Sequence, residues 1–141
     1  MTAALAVVDA SVAVKWVLPE AHSDEAAELA ELRNSGRIRL IAPRLIVVEV
    51  ASAVSKRCRR KQLTLSEGEE AFRLFERGCP SLIDEMPHVR TALRLSVEHQ
   101  LSFWDGIYLA IAIENRADLV TADARLYKSI SRHYPFVRML G

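Results

Sequence analysis

Short apolar runs alternate along this chain with segments whose apolar positions recur every three to four residues. The short runs predict strands at Leu5–Asp9, Ile38–Ala42, Leu82–Asp84, Leu119–Thr121 and Phe136–Met139. The longer periodic segments predict helices near Val12–Val17, Ser23–Arg33, Arg44–Arg60, Glu67–Arg77, His88–Glu98, Phe103–Asn115 and Ala124–Ser131. The punctuation agrees: Ser23 and Ser66 are suited to N-caps, Pro43 and Pro87 to helix starts, Gly36 and Gly78 to helix ends. Regular strand–helix alternation predicts an α/β fold, with a central parallel sheet, right-handed crossovers and helices on both faces. No linker, repeat or low-complexity stretch divides the chain, so residues 1–141 read as one domain.

Composition narrows the class without naming a function. The chain is 50% hydrophobic and 26% charged, in the range of ordinary globular domains. A net charge of +1 gives no global field toward nucleic acid, so any such attraction must be local. Cys58 and Cys79 lie far apart and outside any CxxC spacing, which suits reduced packing residues and a cytoplasmic location. The N-terminal apolar run lacks a basic flank and ends in Asp9, so it reads as a strand and not as a signal peptide. No run approaches the roughly 18 apolar residues of a membrane span.

Four acids carry the candidate chemistry. Asp9 closes Leu5-Ala6-Val7-Val8, and Asp123 closes Leu119-Val120-Thr121-Ala122. Glu49 lies mid-helix among Leu45, Ile46 and Ala53, and Asp105 shares a face with Tyr108, Leu109 and Ala112. Each has a structural alternative. Asp9 and Asp123 precede helices and are suited to N-caps, Ser102 and Asp105 have capping-box spacing, and Glu49 has room to snorkel from a core edge. Carboxylates beside a core are costly unless hydrogen-bonded, paired or bound to metal. Strand ends of a parallel sheet converge on one rim, so the four together predict a site for a hard divalent cation, Mg²⁺ or Mn²⁺. Ser11 and Thr121 place hydroxyls beside it.

In order along the chain, four stretches resemble the motifs of the PIN-domain ribonucleases, specifically the VapC-type toxins of toxin–antitoxin pairs. They are Val7–Trp16, Pro43–Val50, Phe103–Ala112 and Leu119–Leu126. The resemblance implies a PIN-like fold and an acidic pocket of Asp9, Glu49, Asp105 and Asp123 that holds Mg²⁺ or Mn²⁺. Asp9 and Asp105 match the positions most directly tied to the metal. Glu49 would position or deprotonate water, and Thr121 matches a supporting hydroxyl. It further implies an RNA substrate cut by metal-activated water, a small cognate antitoxin of the VapB kind and a homodimer. Gly106 stands where many relatives carry Ala, a mild difference.

An acidic pocket needs a basic rim to draw RNA. Lys15, Arg59, Arg60 and Arg125 are the candidates, against the alternative that cations at the end of a helix merely complement its dipole. The dispersed His22, His88, His99 and His133 form no recognisable acid pair, which argues against a histidine-driven ribonuclease. Trp16, Trp104, Phe72 and Phe75 read as core or interface, with Phe72 and Phe75 suited to a dimer contact or an antitoxin groove. Two rival functions remain: a PIN-fold binding module without turnover, and a receiver-like phospho-acceptor domain. The receiver pattern wants paired acids after the first strand and a Lys after the last, and both are missing.

Overall fold

The computed structural model describes residues 4–141. In chain order they form β1 (Ala4–Val8), α1 (Ala10–Ala13) with a 3-10 turn at Val14–Trp16, α2 (Ser23–Asn34), β2 (Ile38–Pro43), α3 (Leu45–Arg59) and α4 (Leu65–Arg77). Then follow β3 (Ser81–Ile83), a 3-10 turn at Met86–His88, α5 (Val89–His99), α6 (Phe103–Glu114), β4 (Asp118–Thr121), α7 (Ala124–Ile130) and β5 (Val137–Met139). All strands pair in parallel, in the order β3-β2-β1-β4-β5.

The middle of the sheet explains its sequence. Val7 pairs with Ile41 on one side and Leu119 on the other, and Ala6, Val7 and Val8 are all buried. A strand covered on both faces reads as a continuous apolar run, as this one does. The chain runs from β1 outward through β2 to β3 and then returns across the sheet to β4 and β5 on the other side of β1. Helix α6 is buried along the whole run Gly106–Ala112 and packs on β1, β2 and β4. A helix apolar on all sides belongs inside a fold, and this one carries Asp105 in its first turn.

Strand order reverses between β1 and β4, which opens a crevice at their C-terminal ends. The same order excludes the receiver reading, whose doubly wound sheet runs 2-1-3-4-5. Several helix boundaries differ from the sequence expectation. Helix α4 is capped by Thr64 in a reciprocal capping box with Glu67, leaving Ser66 inside the helix. Helix α2 is preceded by a left-handed His22 with no side-chain cap, while the Ser23 hydroxyl turns back to the Glu20 carbonyl. Pro43 ends β2 instead of opening α3. Among the described residues no helix is long and apolar enough to cross a membrane.

Candidate active site

Val8 pairs with Val120, so the residues that follow each strand leave the sheet side by side. Asp9 is extended and caps α1: its Oδ1 accepts from the Val12 N–H at 3.3 Å and the Ser11 hydroxyl at 2.5 Å. Its Oδ2 accepts from the Thr121 hydroxyl at 2.5 Å. Thr121 is fully buried and in turn accepts the Asp123 N–H at 3.1 Å, while Ser11 accepts the Ala122 N–H at 2.9 Å. The two strand ends are thus tied together through hydroxyls, with Asp9 at the centre and only 6% exposed.

The other acids arrive from helix starts and from α3. Asp123 is exposed and caps α7, its Oδ1 accepting the Arg125 and Leu126 N–H groups. The Ser102 hydroxyl caps α6 by accepting the Asp105 N–H at 3.1 Å. Glu49, one turn into α3, accepts the Tyr108 hydroxyl at 2.7 Å on Oε1. Capping and clustering therefore hold together: helix starts are the means by which this fold holds carboxylates at its strand ends.

Charge accumulates in this corner. Burial lifts the Asp9 carboxyl to about 6, against the hydrogen bonds of Ser11, Thr121 and Val12 that favour its ionised form, and Asp105 raises it further. Burial also raises Glu49, partly offset by Tyr108 and reinforced by Asp105. Asp105 is raised by burial and by Asp123, with Ser102 opposing. Among the described residues none of the four acids makes an ion pair. Mutually repelling carboxylates without a cationic partner, and without His or Cys between them, have the chemistry of a hard-cation site.

The ligand geometry is open. Among the described residues no three His, Cys, Asp or Glu side chains stand close enough to hold one ion as they lie. Joint ligation thus requires side chains to turn inward. A cavity of about 200 Å³ lined by Ser102, Asp105, Asp123 and Arg125 gives them space. A larger, apolar groove of about 560 Å³ lies away from the acids between α3 and α4, lined by Val54, Cys58, Leu65 and Phe72.

The candidate basic rim divides. Arg125 lines the acidic cavity. Lys15 instead pairs with Glu20 at 3.3 Å, beside an Arg57–Glu20 bond of 2.7 Å, and is only 12% exposed; it belongs to a structural ion-pair triad. Arg59 bonds the Ser55 hydroxyl and Arg60 ends α3, about 15 Å along the helix from Glu49. Lys128 on α7, the helix of Arg125, and Arg132 just beyond it are also exposed.

The aromatic and histidine expectations also divide. Phe75 is in the core and unavailable for docking, whereas Phe72 lines the apolar groove. Trp16 donates to the Ala26 carbonyl under Arg33, and Trp104 is 56% exposed. His88 does pair with an acid, Glu114, but through tertiary contact at the far end of α6. Tyr108, read as part of an apolar face, is the polar group the sequence did not flag.

Comparison with known proteins agrees with this fold. The family pattern of the PIN domain matches residues 6–130. Ribonuclease VapC9 of Mycobacterium tuberculosis is 33% identical, the match covering 73% of this chain and 85% of that protein. PAE2754 from Pyrobaculum aerophilum shares the fold with a TM-score of 0.71 at 22% identity, over 99% of this chain and 92% of that one. VapBC2 from Rickettsia felis, solved bound to a DNA fragment from its promoter, follows at a TM-score of 0.64 and 18% identity, covering 96% of each chain.

Proposed function

The chain belongs to the PIN-domain family, beside the VapC ribonucleases, and from that premise we propose that it is a divalent-metal-dependent endoribonuclease acting as the toxin of a toxin–antitoxin pair. The observation that carries the reading is the set of four acids, Asp9, Glu49, Asp105 and Asp123, electrostatically coupled around Asp105 and without a cationic partner among the described residues.

In this reading Asp9, Asp105 and Asp123 hold the cation, Mg²⁺ or Mn²⁺, with Glu49 completing the set. A bound divalent ion supplies Lewis acidity toward a phosphodiester oxygen and lowers the pKa of water. The chain's own groups do the rest. Ser11 and Thr121 keep Asp9 oriented and favour its ionised form, and Glu49 orients water for in-line attack and accepts its proton. Arg125 stands where it can contact a phosphate of the RNA. Attack by water leaves 5′-phosphate and 3′-hydroxyl ends. End-group analysis of the cut RNA tests this directly, because 2′,3′-cyclic phosphate would mean attack by the ribose 2′-hydroxyl.

The partner in this reading is a small antitoxin of the VapB kind, encoded beside the toxin, and the protein is a homodimer. Leu93 and Val97 on α5, which are 57% and 65% exposed, provide an apolar face of the required kind. One observation favours a second reading, a PIN-fold binding module without turnover: the acids stand outside joint ligand distance. Metal binding with no cutting of any tested RNA would select it.

A further inference from the structure

Tyr108 lies one turn beyond Asp105 on α6, with its side chain 2% exposed and its neighbours from Gly106 to Ala112 all buried. A phenylalanine would fill the same space, so packing does not call for the hydroxyl, and burying one is costly unless it is accepted. Here it reaches across to α3 and donates to Glu49 Oε1 at 2.7 Å. The observed bond is a donation from the phenol to the Glu49 carboxylate, whose oxygens can only accept.

We propose that Tyr108 is the positioning residue of the acidic pocket: by holding Oε1 it fixes the Glu49 side chain and commits Oε2, which has no protein donor among the described residues, to a divalent cation or to the attacking water. The inference rests on the metal-nuclease reading and adds a residue to it. Tyr108 does for Glu49 what Ser11 and Thr121 do for Asp9. Groups that orient metal ligands in this way are typically worth roughly 10- to 100-fold in affinity or activity.

The test is a double-mutant cycle on the full chain, with Mn²⁺ affinity read by calorimetry and RNA cleavage as second readout. Tyr108→Phe is expected to keep its fold, to bind Mn²⁺ about ten-fold more weakly and to lose kcat with KM for RNA unchanged. In a Glu49→Gln background the same change is expected to add less than about two-fold. Replacing Tyr108 by p-aminophenylalanine, which keeps a ring-borne donor, is expected to restore Mn²⁺ binding, and this arm decides the matter even where Tyr108→Phe folds poorly. Wild-type affinity in Tyr108→Phe, an equal loss in the Glu49→Gln background or failure of the rescue overturns the positioning role while leaving the nuclease reading intact. A Glu49→Gln chain with unaltered Mn²⁺ binding and cleavage likewise overturns the positioning role, whereas a wild-type chain that binds no Mn²⁺ and cuts no RNA overturns the nuclease reading itself.

Discussion

The Thr121 hydroxyl donates to Asp9 Oδ2 at 2.5 Å across 112 positions of sequence. This bond joins the C-terminal ends of β4 and β1 where the strand order reverses, and its acceptor is the most buried of the four acids. Thr121 also accepts the Asp123 N–H, so one hydroxyl holds the Asp9 carboxylate and the backbone that carries Asp123.

Thr121→Val keeps the shape and removes the donor. Hydrogen bonds to charged groups contribute about 1.5–3 kcal/mol. The variant is expected to lose about that much stability near pH 7 in chemical denaturation, and to bind Mn²⁺ more weakly because Asp9 then holds its proton more tightly. Unchanged stability and affinity would remove Thr121 from the site.

Asp9 makes the metal-free fold sensitive to pH. Its carboxyl rises from 3.8 to about 6 on folding, so the folded state holds the proton more firmly than the unfolded one. Stability from this group is complete below about pH 4 and is lost as pH climbs through 6, by on the order of 3 kcal/mol. The stability difference between wild type and Asp9→Asn, followed from pH 4 to pH 8 in EDTA, is expected to shift toward the variant by that amount. A flat difference contradicts the assignment. Mn²⁺ at neutral pH is expected to stabilise wild type and not the variant.

Gly106 sits where α5 comes close to the backbone of α6. A Cβ there would lie 2.8 Å from the Ala92 carbonyl oxygen and 3.3 Å from Ser96 Cβ, so α5 packs directly on the α6 backbone. Gly106→Ala is expected to cost about 1–3 kcal/mol despite its better helix propensity, because the obstacle is backbone and not a flexible side chain. A thermal melt at or above the wild-type midpoint would show that α5 moves aside freely.

Lys15 and Arg125 are expected to separate cleanly. Lys15→Ala breaks a half-buried triad with Glu20 and Arg57, which predicts lost stability with RNA affinity retained. Arg125→Ala leaves stability within about 0.5 kcal/mol, weakens binding of an uncleaved RNA and flattens its salt dependence by nearly one phosphate contact. Equal effects of the two changes on RNA binding would return Lys15 to the rim.

The middle of the sheet was legible because the inner residues of β1, β2 and β4 are buried on both faces; β1 and α6 announce themselves in Val7-Val8 and in Ile107–Ala112. The four acids stand out in the sequence because each interrupts an apolar pattern, and the fold brings them within reach of one another's charge. What the sequence hid are features set by tertiary contact. Tyr108 looks like core because its ring is core, and only its distance from Glu49 shows the hydroxyl in use. Lys15 looks like an exposed cation until Glu20, five positions on, and Arg57, from α3, close around it. The cap of α4 falls on Thr64 and not Ser66 because Glu67 completes the reciprocal bond at that spacing. Gly106 resembles a neutral helix position until α5 is placed against it.

In the proposed function, coupled carboxylates around Asp105 cut RNA through a divalent cation. The direct measurement is RNA cleavage by the purified chain with Mg²⁺ or Mn²⁺, with EDTA, and with Asp105→Asn, which keeps the shape and removes the charge. Cutting is expected to need the metal and to fall by at least about 100-fold in the variant. Cutting that survives both EDTA and Asp105→Asn would contradict that function.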